Sequence, residues 1–138
     1  MNGPKTQRES GPHTELMRAA LEGNLPALEL MLNGGDNPNA RDKNGRTALM
    51  FAVINMHSSS TKLLIKFGAD INAVANDGSS PIMLAASSGD TESVRELLKQ
   101  GAKLDGKQRW TGETALTLAN KKGYRDIVDL LTAAKKEK

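Results

Sequence analysis

The chain repeats itself every 33 residues. Residues 47–52 read TALMFA, 80–85 read SPIMLA, 114–119 read TALTLA and 14–19 read TELMRA. A second block runs in phase with the first: KLLIKFGADINA over 62–73, RELLKQGAKLDG over 95–106 and ALELMLNGGDNPNA over 27–40. Gly35, Gly68 and Gly101 stand 33 apart, as do Gly45 and Gly78, whereas Gly78 and Gly112 stand 34 apart, so one residue is inserted ahead of the last repeat. Self-similarity at such a period is the signature of a solenoid, in which each unit touches only its neighbours. Function is then expected on one face of the stack rather than in a cavity.

Each repeat reads as helix, turn, helix and projecting finger. Thr14, Thr47, Ser80 and Thr114 stand just ahead of an apolar run, where a hydroxyl accepts from an early helical N–H. Pro81 occupies a first-turn position, where its missing N–H costs nothing. Leu49, Ile82 and Leu116 are each followed three residues on by Ala52, Ala85 or Ala119, a small residue that lets the next helix approach. Gly23, Gly89 and Gly123 mark a polar turn. The second helix then carries Leu28, Val94 and Val128, and the pairs Met31-Leu32, Leu64-Ile65 and Leu97-Leu98, an apolar stripe at helical spacing. It closes at Gly35, Gly68 or Gly101, suited to the left-handed position past a helix end. Asp70 and Asn72 brace the finger that follows through side-chain to backbone bonds. No unit can bury its stripe alone, and four exceed the roughly three that stability requires. The expected fold is an all-α repeat solenoid with β-turn fingers.

Departures from the pattern carry expectations of their own. Met56 replaces the turn glycine and is followed by His57, Ser58, Ser59 and Ser60, which predicts an irregular polar turn; the serines are read as a solvated turn in preference to phosphate acceptors. Thr61 stands where Val94 and Val128 stand and weakens the inner face of its helix. Asn120 and Thr132 give the last repeat the wetted outer face of a C-terminal cap.

Taken together the blocks run D-x-x-G-x-T-A-L-x-x-A through LL-x-x-x-G-A-D-I-N-A, and this resembles the ankyrin repeat over about nine-tenths of the chain. The repeats divide as 13–41, 42–74, 75–107 and 108–134, between an N-terminal tail over 1–12, polar and expected to be disordered, and a basic C-terminal tail over 135–138. The resemblance implies that a partner is gripped by the finger tips and the exposed ends of the first helices, which line a concave groove. The finger positions are Arg41, Lys43, Asn44 and Arg46; Val74, Asn76, Asp77 and Ser79; and Lys107, Arg109, Trp110, Thr111 and Glu113. The helix ends are Leu21 and Glu22, Ile54 and Asn55, Ser87 and Ser88, and Lys121 and Lys122. The groove so drawn is basic at both ends and neutral in the middle. By the same resemblance His57 makes local backbone contacts, and Asn72, with Leu64 and Asp70 before it, matches the pattern modified by an asparaginyl hydroxylase in animal ankyrin proteins, although the finger needs those residues in any case.

Trp110 is the single tryptophan and stands in the one lengthened finger. Tryptophan and arginine are enriched among residues that dominate interface energetics. The alternative is that its ring folds back and covers Leu116 at the edge of the last repeat.

Composition narrows the function. The formal charge is +3, yet residues 13–134 hold 14 Lys and Arg against 14 Asp and Glu, so the excess lies in the tails. A nucleic-acid binder concentrates bases on one groove or helix, and this chain as a whole does not. With no cysteine there is no disulfide or thiolate chemistry. His13 and His57 lack companions at metal-ligand spacing, and the glycines form neither phosphate-binding nor dinucleotide-binding patterns. No apolar run reaches the ~18 residues of a membrane span, and no signal peptide is read at the start. The expectation is a monomeric, cytoplasmic, non-enzymatic module without cofactor or metal that binds another protein, with acidic residues on an extended segment facing its basic ends. The alternative is nucleotide or nucleic-acid binding by the basic fingers with Trp110 stacked on a base; a further possibility is an inhibitory or targeting subunit for an enzyme encoded elsewhere.

Overall fold

A computed structural model describes residues 14–136 as eight α-helices in four pairs. They are α1 (Glu15–Glu22) with α2 (Leu25–Asn33), α3 (Ala48–Ile54) with α4 (Ser58–Lys66), α5 (Pro81–Ser88) with α6 (Thr91–Lys99), and α7 (Ala115–Lys122) with α8 (Arg125–Lys136). No β-strand occurs among the described residues, and no helix there is long and apolar enough to cross a membrane. The proposed tail over 1–12, with His13, lies outside the described residues.

Local chemistry starts the first helix of each pair. The Thr14, Thr47 and Thr114 hydroxyls accept from the Met17, Met50 and Thr117 N–H groups at 3.1, 3.4 and 3.2 Å. Thr117 returns the favour, its hydroxyl accepting from the Thr114 N–H at 2.7 Å. Ser80, expected to cap in the same way, makes no such bond. There Pro81 holds the first turn by its fixed φ. At the other end of the chain α8 runs through Lys135 and Lys136, beyond the boundary expected at 134. Alanine and lysine are good helix formers, and the two cations sit favourably at the negative end of the helix dipole.

The first helices stack on one another in one layer and the second helices in another. Between them lie Met17, Leu28, Leu49, Leu64, Ile82, Leu97, Ile127 and Leu131, all buried. Each such side chain contributes roughly 1.5–3 kcal/mol by leaving water. Ala52, Ala85 and Ala119 are fully buried between neighbouring first helices, where a larger side chain would force the layers apart.

Thr61 is also fully buried, and its polarity is matched rather than wasted. Its hydroxyl lies 3.3 Å from Ser93 Oγ, which is 2.6 Å from Asp90 Oδ2. A carboxylate only accepts, so Ser93 gives its proton to Asp90 and Thr61 donates to Ser93. The same aspartate caps α6 by accepting from the Ser93 N–H at 3.1 Å. Replacing Asp90 with alanine removes a cap and leaves a buried hydroxyl pair short of an acceptor. The expected loss is roughly 2–3 kcal/mol, read from the midpoint of urea unfolding.

The turn at Met56 is regular, contrary to the irregular turn expected there. His57 N–H donates to the Ala52 carbonyl at 2.8 Å, just as Asn24, Asp90 and Tyr124 donate to Ala19, Ala85 and Ala119. What differs is conformational cost, for Met56 takes φ 62°, the left-handed region occupied by Gly23, Gly89 and Gly123 at its equivalents. Neighbouring repeats accommodate the difference. A Cβ on Gly23 would lie 2.5 Å from the His57 ring, and one on Gly89 would lie 2.9 Å from the Tyr124 ring. Met56 carries a Cβ, and the residue in the corresponding place of the next repeat is the small Asp90. Because Met56 is half-exposed and makes little packing, Met56→Gly is expected to relieve about 1–2 kcal/mol of backbone strain against about 0.4–1 kcal/mol of extra unfolded-state freedom. A rise of a few degrees in Tm is the expected outcome, with Met56→Leu giving none.

Candidate functional site

The fingers form a continuous row because each is hydrogen-bonded both within itself and to the next. In the first finger, Asp42 Oδ1 accepts from the N–H groups of Asn44 and Arg46 at 2.9 and 2.8 Å, closing a tight turn. In the second, Asp77 Oδ1 accepts from the Ser79 N–H at 3.0 Å. Between fingers, Asn76 N–H donates to the Asn44 carbonyl at 2.9 Å and Arg109 N–H to the Asp77 carbonyl at 2.8 Å. The third finger absorbs the inserted residue in its turn: Gly112 N–H reaches back four residues to the Gln108 carbonyl, whereas Gly45 and Gly78 reach back three to Asp42 and Ala75.

Several residues expected to meet a partner also hold this row together. Arg41 donates through one nitrogen to the Gly45 and Val74 carbonyls at 3.1 and 2.8 Å. Asn76 Nδ2 donates to the Lys43 carbonyl at 3.1 Å. Ser79 is 2% exposed, and its hydroxyl accepts from Gln108 Nε2 at 3.2 Å, so it offers no surface to a partner. Thr111 donates to Gln108 Oε1 at 3.0 Å and accepts from the Glu113 N–H at 3.2 Å. Asn55 donates to the Leu21 carbonyl at 2.8 Å, and His57 Nε2 lies 3.0 Å from that same oxygen. A carbonyl only accepts, so that ring nitrogen carries the proton. His57 thus makes a backbone contact, to the preceding repeat.

Of the expected residues Ser79 alone is buried; Arg41, Asn44, Asn55, Asn76, Asp77 and Thr111 are exposed as well as bonded or adjacent to the row. Lys43, Lys107 and Lys122 are exposed and make no ion pair among the described residues. Val74 is half-exposed, while Ile54, Ser87 and Ser88 are half-buried at the ends of α3 and α5. Lys121 pairs with Glu113 at 3.2 Å on the surface, worth at most about 1 kcal/mol. Arg46 lies over the Phe51 ring at 5.8 Å. Trp110 is 77% exposed, with the Arg109 guanidinium 5.9 Å from its ring centre. The ring therefore does not cover Leu116.

Sequence reasoning missed two contributors, Asn39 and Gln108. Asn39 Oδ1 accepts from the Asp70 N–H at 2.7 Å, and its Nδ2 donates to the Gly68 carbonyl at 3.1 Å. Asn72 repeats the first bond, accepting from the Lys103 N–H at 2.9 Å. Gln108 ties the last two fingers. The 33-residue spacing of Asn39 and Asn72 was the available signal; Gln108 has no counterpart in the other fingers.

The first helices contact one another more extensively than the second helices do. Tighter spacing on one layer bends the stack toward it, which puts α1, α3, α5 and α7 on the inner side of the curve.

No curated protein matches this chain significantly. A family model described as ankyrin repeats (3 copies) matches residues 16–108 and, in a second overlapping alignment, residues 59–138. With four helix pairs, fingers bonded in series and these two matches spanning nearly all of its length, the chain belongs to the ankyrin-repeat family.

Proposed function

We infer that this chain is a non-catalytic module that holds another protein along its fingers and the ends of its first helices. Ankyrin repeats generally serve protein–protein interaction. The observation that carries the reading to particular residues is Trp110, an aromatic side chain 77% exposed on a finger whose backbone is fixed by bonds to its neighbour. A rigid support lowers the ordering cost of binding, and a large exposed ring has little reason to stand in water unless something covers it. Lys43 at one end of the row, and Lys107, Arg109 and Lys122 at the other, favour a partner with carboxylates facing those ends. Such charges raise association rate more than affinity.

The partner is to be identified by affinity purification and mass spectrometry, then purified and titrated calorimetrically. Trp110→Ala is expected to lose roughly 2 kcal/mol of binding, about thirtyfold in Kd, with an unchanged Tm. Lys43→Ala should slow association at low salt and matter little at high salt. Leu30→Ala removes an equally exposed side chain from the second-helix layer and should leave affinity unchanged. Equal losses at Trp110 and Leu30 would overturn the assignment of the binding face.

A further inference from the structure

The bonds between fingers fix their register as well as their support. The Arg41 guanidinium donates to the Val74 carbonyl, and the N–H groups of Asn76 and Arg109 donate to the carbonyls of Asn44 and Asp77. Two rows of side chains result, each with members 33 residues apart: Arg41, Val74 and Lys107, then Lys43, Asn76 and Arg109. All six are exposed. Lys43 and Val74 are so with a following finger in place, which makes exposure a property of the tips themselves. Each row carries a cation on the first finger, an uncharged side chain on the second and a cation on the third. None of the four cations pairs with a carboxylate among the described residues. Arg41 spends one nitrogen on its two carbonyls and keeps its other donors. Beside Asn76 stands Asp77, an exposed acid on the middle finger.

Each finger hangs from a helix pair, and packed helices stand about 8–10 Å apart, so successive tips recur at about that spacing. A β-strand returns a side chain to the same face about every 6.7 Å and falls out of step with the fingers. An α-helix comes near the spacing only at every second turn of about 5.4 Å, which leaves the turn between with no finger beneath it. A polyproline II helix advances about 9.3 Å in each three-residue turn and so returns one edge to the surface at every finger. It makes no internal hydrogen bonds, which leaves its carbonyls free for donors such as Arg41. Trp110, beside Arg109 on the third finger, is the kind of exposed aromatic ring against which such segments dock.

We propose that the three fingers take a proline-rich segment of the partner protein in the polyproline II conformation, with two acidic residues two turns apart, about six residues, and an apolar residue midway. The proposal rests on the protein-binding reading above and gives the partner's segment a conformation and a sequence pattern. One carboxylate meets Arg41 and Lys43, the other meets Lys107 and Arg109, and the apolar side chain covers Val74. Asp77, on the same finger as Val74, repels a carboxylate in the middle place, so the pattern is selected by exclusion as well as by attraction. Proline fixes φ before binding, and little freedom is then lost on a rigid row.

The probe is the synthetic peptide PPEPPVPPEPP, titrated at low salt into isotope-labelled protein and followed by backbone amide NMR and by the fluorescence of Trp110, the single tryptophan. Shifts are expected over residues 41–44, 74–77 and 107–111. The peptide PPPEPVPEPPP keeps composition and charge but brings the acids out of step with the fingers, and it is expected to bind about fivefold more weakly or worse. PPEPPEPPEPP places a carboxylate in the middle. Asp77→Asn, whose amide oxygen keeps an acceptor for the Ser79 N–H, should strengthen binding of that peptide about threefold or more and change the valine peptide less. The double variant Lys43→Glu, Arg109→Glu should weaken the valine peptide about tenfold or more, its own amide spectrum showing that the fold is kept. Equal binding by the out-of-step peptide would overturn the proposal, because charge alone then suffices. So would tighter binding of a single-stranded oligothymidylate than of the valine peptide. No binding by any of the peptides, or shifts away from the fingers, would overturn it while leaving the protein-binding reading standing. That reading fails separately, by retention of the purified partner's affinity in Trp110→Ala.

Discussion

Everything in this molecule depends on the burial of one helix pair's apolar stripe against the next pair. A pair such as α3 and α4 has its apolar side chains on its faces toward α1 and α2 and toward α5 and α6, and alone it would leave them in water. The polar bonds obey the same nearest-neighbour rule. Side-chain hydrogen bonds that join one helix pair or finger to the next span about one period, 29 to 36 residues, as from Arg41 to Val74, Asn55 to Leu21 and Thr61 to Ser93. Stability is accordingly a sum of unit and interface contributions, and an interior change is felt by the repeats on either side of it.

That coupling explains how the off-pattern second repeat is tolerated. Methionine in a glycine's place would collide with an aromatic neighbour such as His57 or Tyr124, yet the neighbour at that place is Asp90. The same aspartate caps α6 and anchors Ser93, which in turn satisfies Thr61, the other off-pattern residue. Two apparent defects of one repeat are thus answered by a single side chain of the next.

The period and caps made the helices legible in the sequence, because a 33-residue repeat allows each expectation to be checked several times over. The turn at Met56 was misjudged, since glycine's presence was read as a requirement when the backbone bonds alone set the turn. The site was less legible for a different reason. Arg41, Asn55, Asn76 and Ser79 look like polar surface in a linear reading, and only the bonds to the adjacent repeat show them to be occupied. Trp110 stood out because it is unique and sits at the inserted residue, but its exposure could not be read from spacing: a ring of that size reaches either outward or back to Leu116.

Two requirements then meet in the third finger. A binding surface must be rigid enough that little freedom is lost on association, and it must keep polar groups available that the fold has not already used. The first two fingers satisfy the first requirement at the expense of the second, for their carbonyls and glycine faces are filled by the finger that follows. The third is held from one side by the Asp77 carbonyl. It also carries the inserted residue and the exposed tryptophan. Of the three fingers, it is the one that joins a fixed backbone to an exposed aromatic ring.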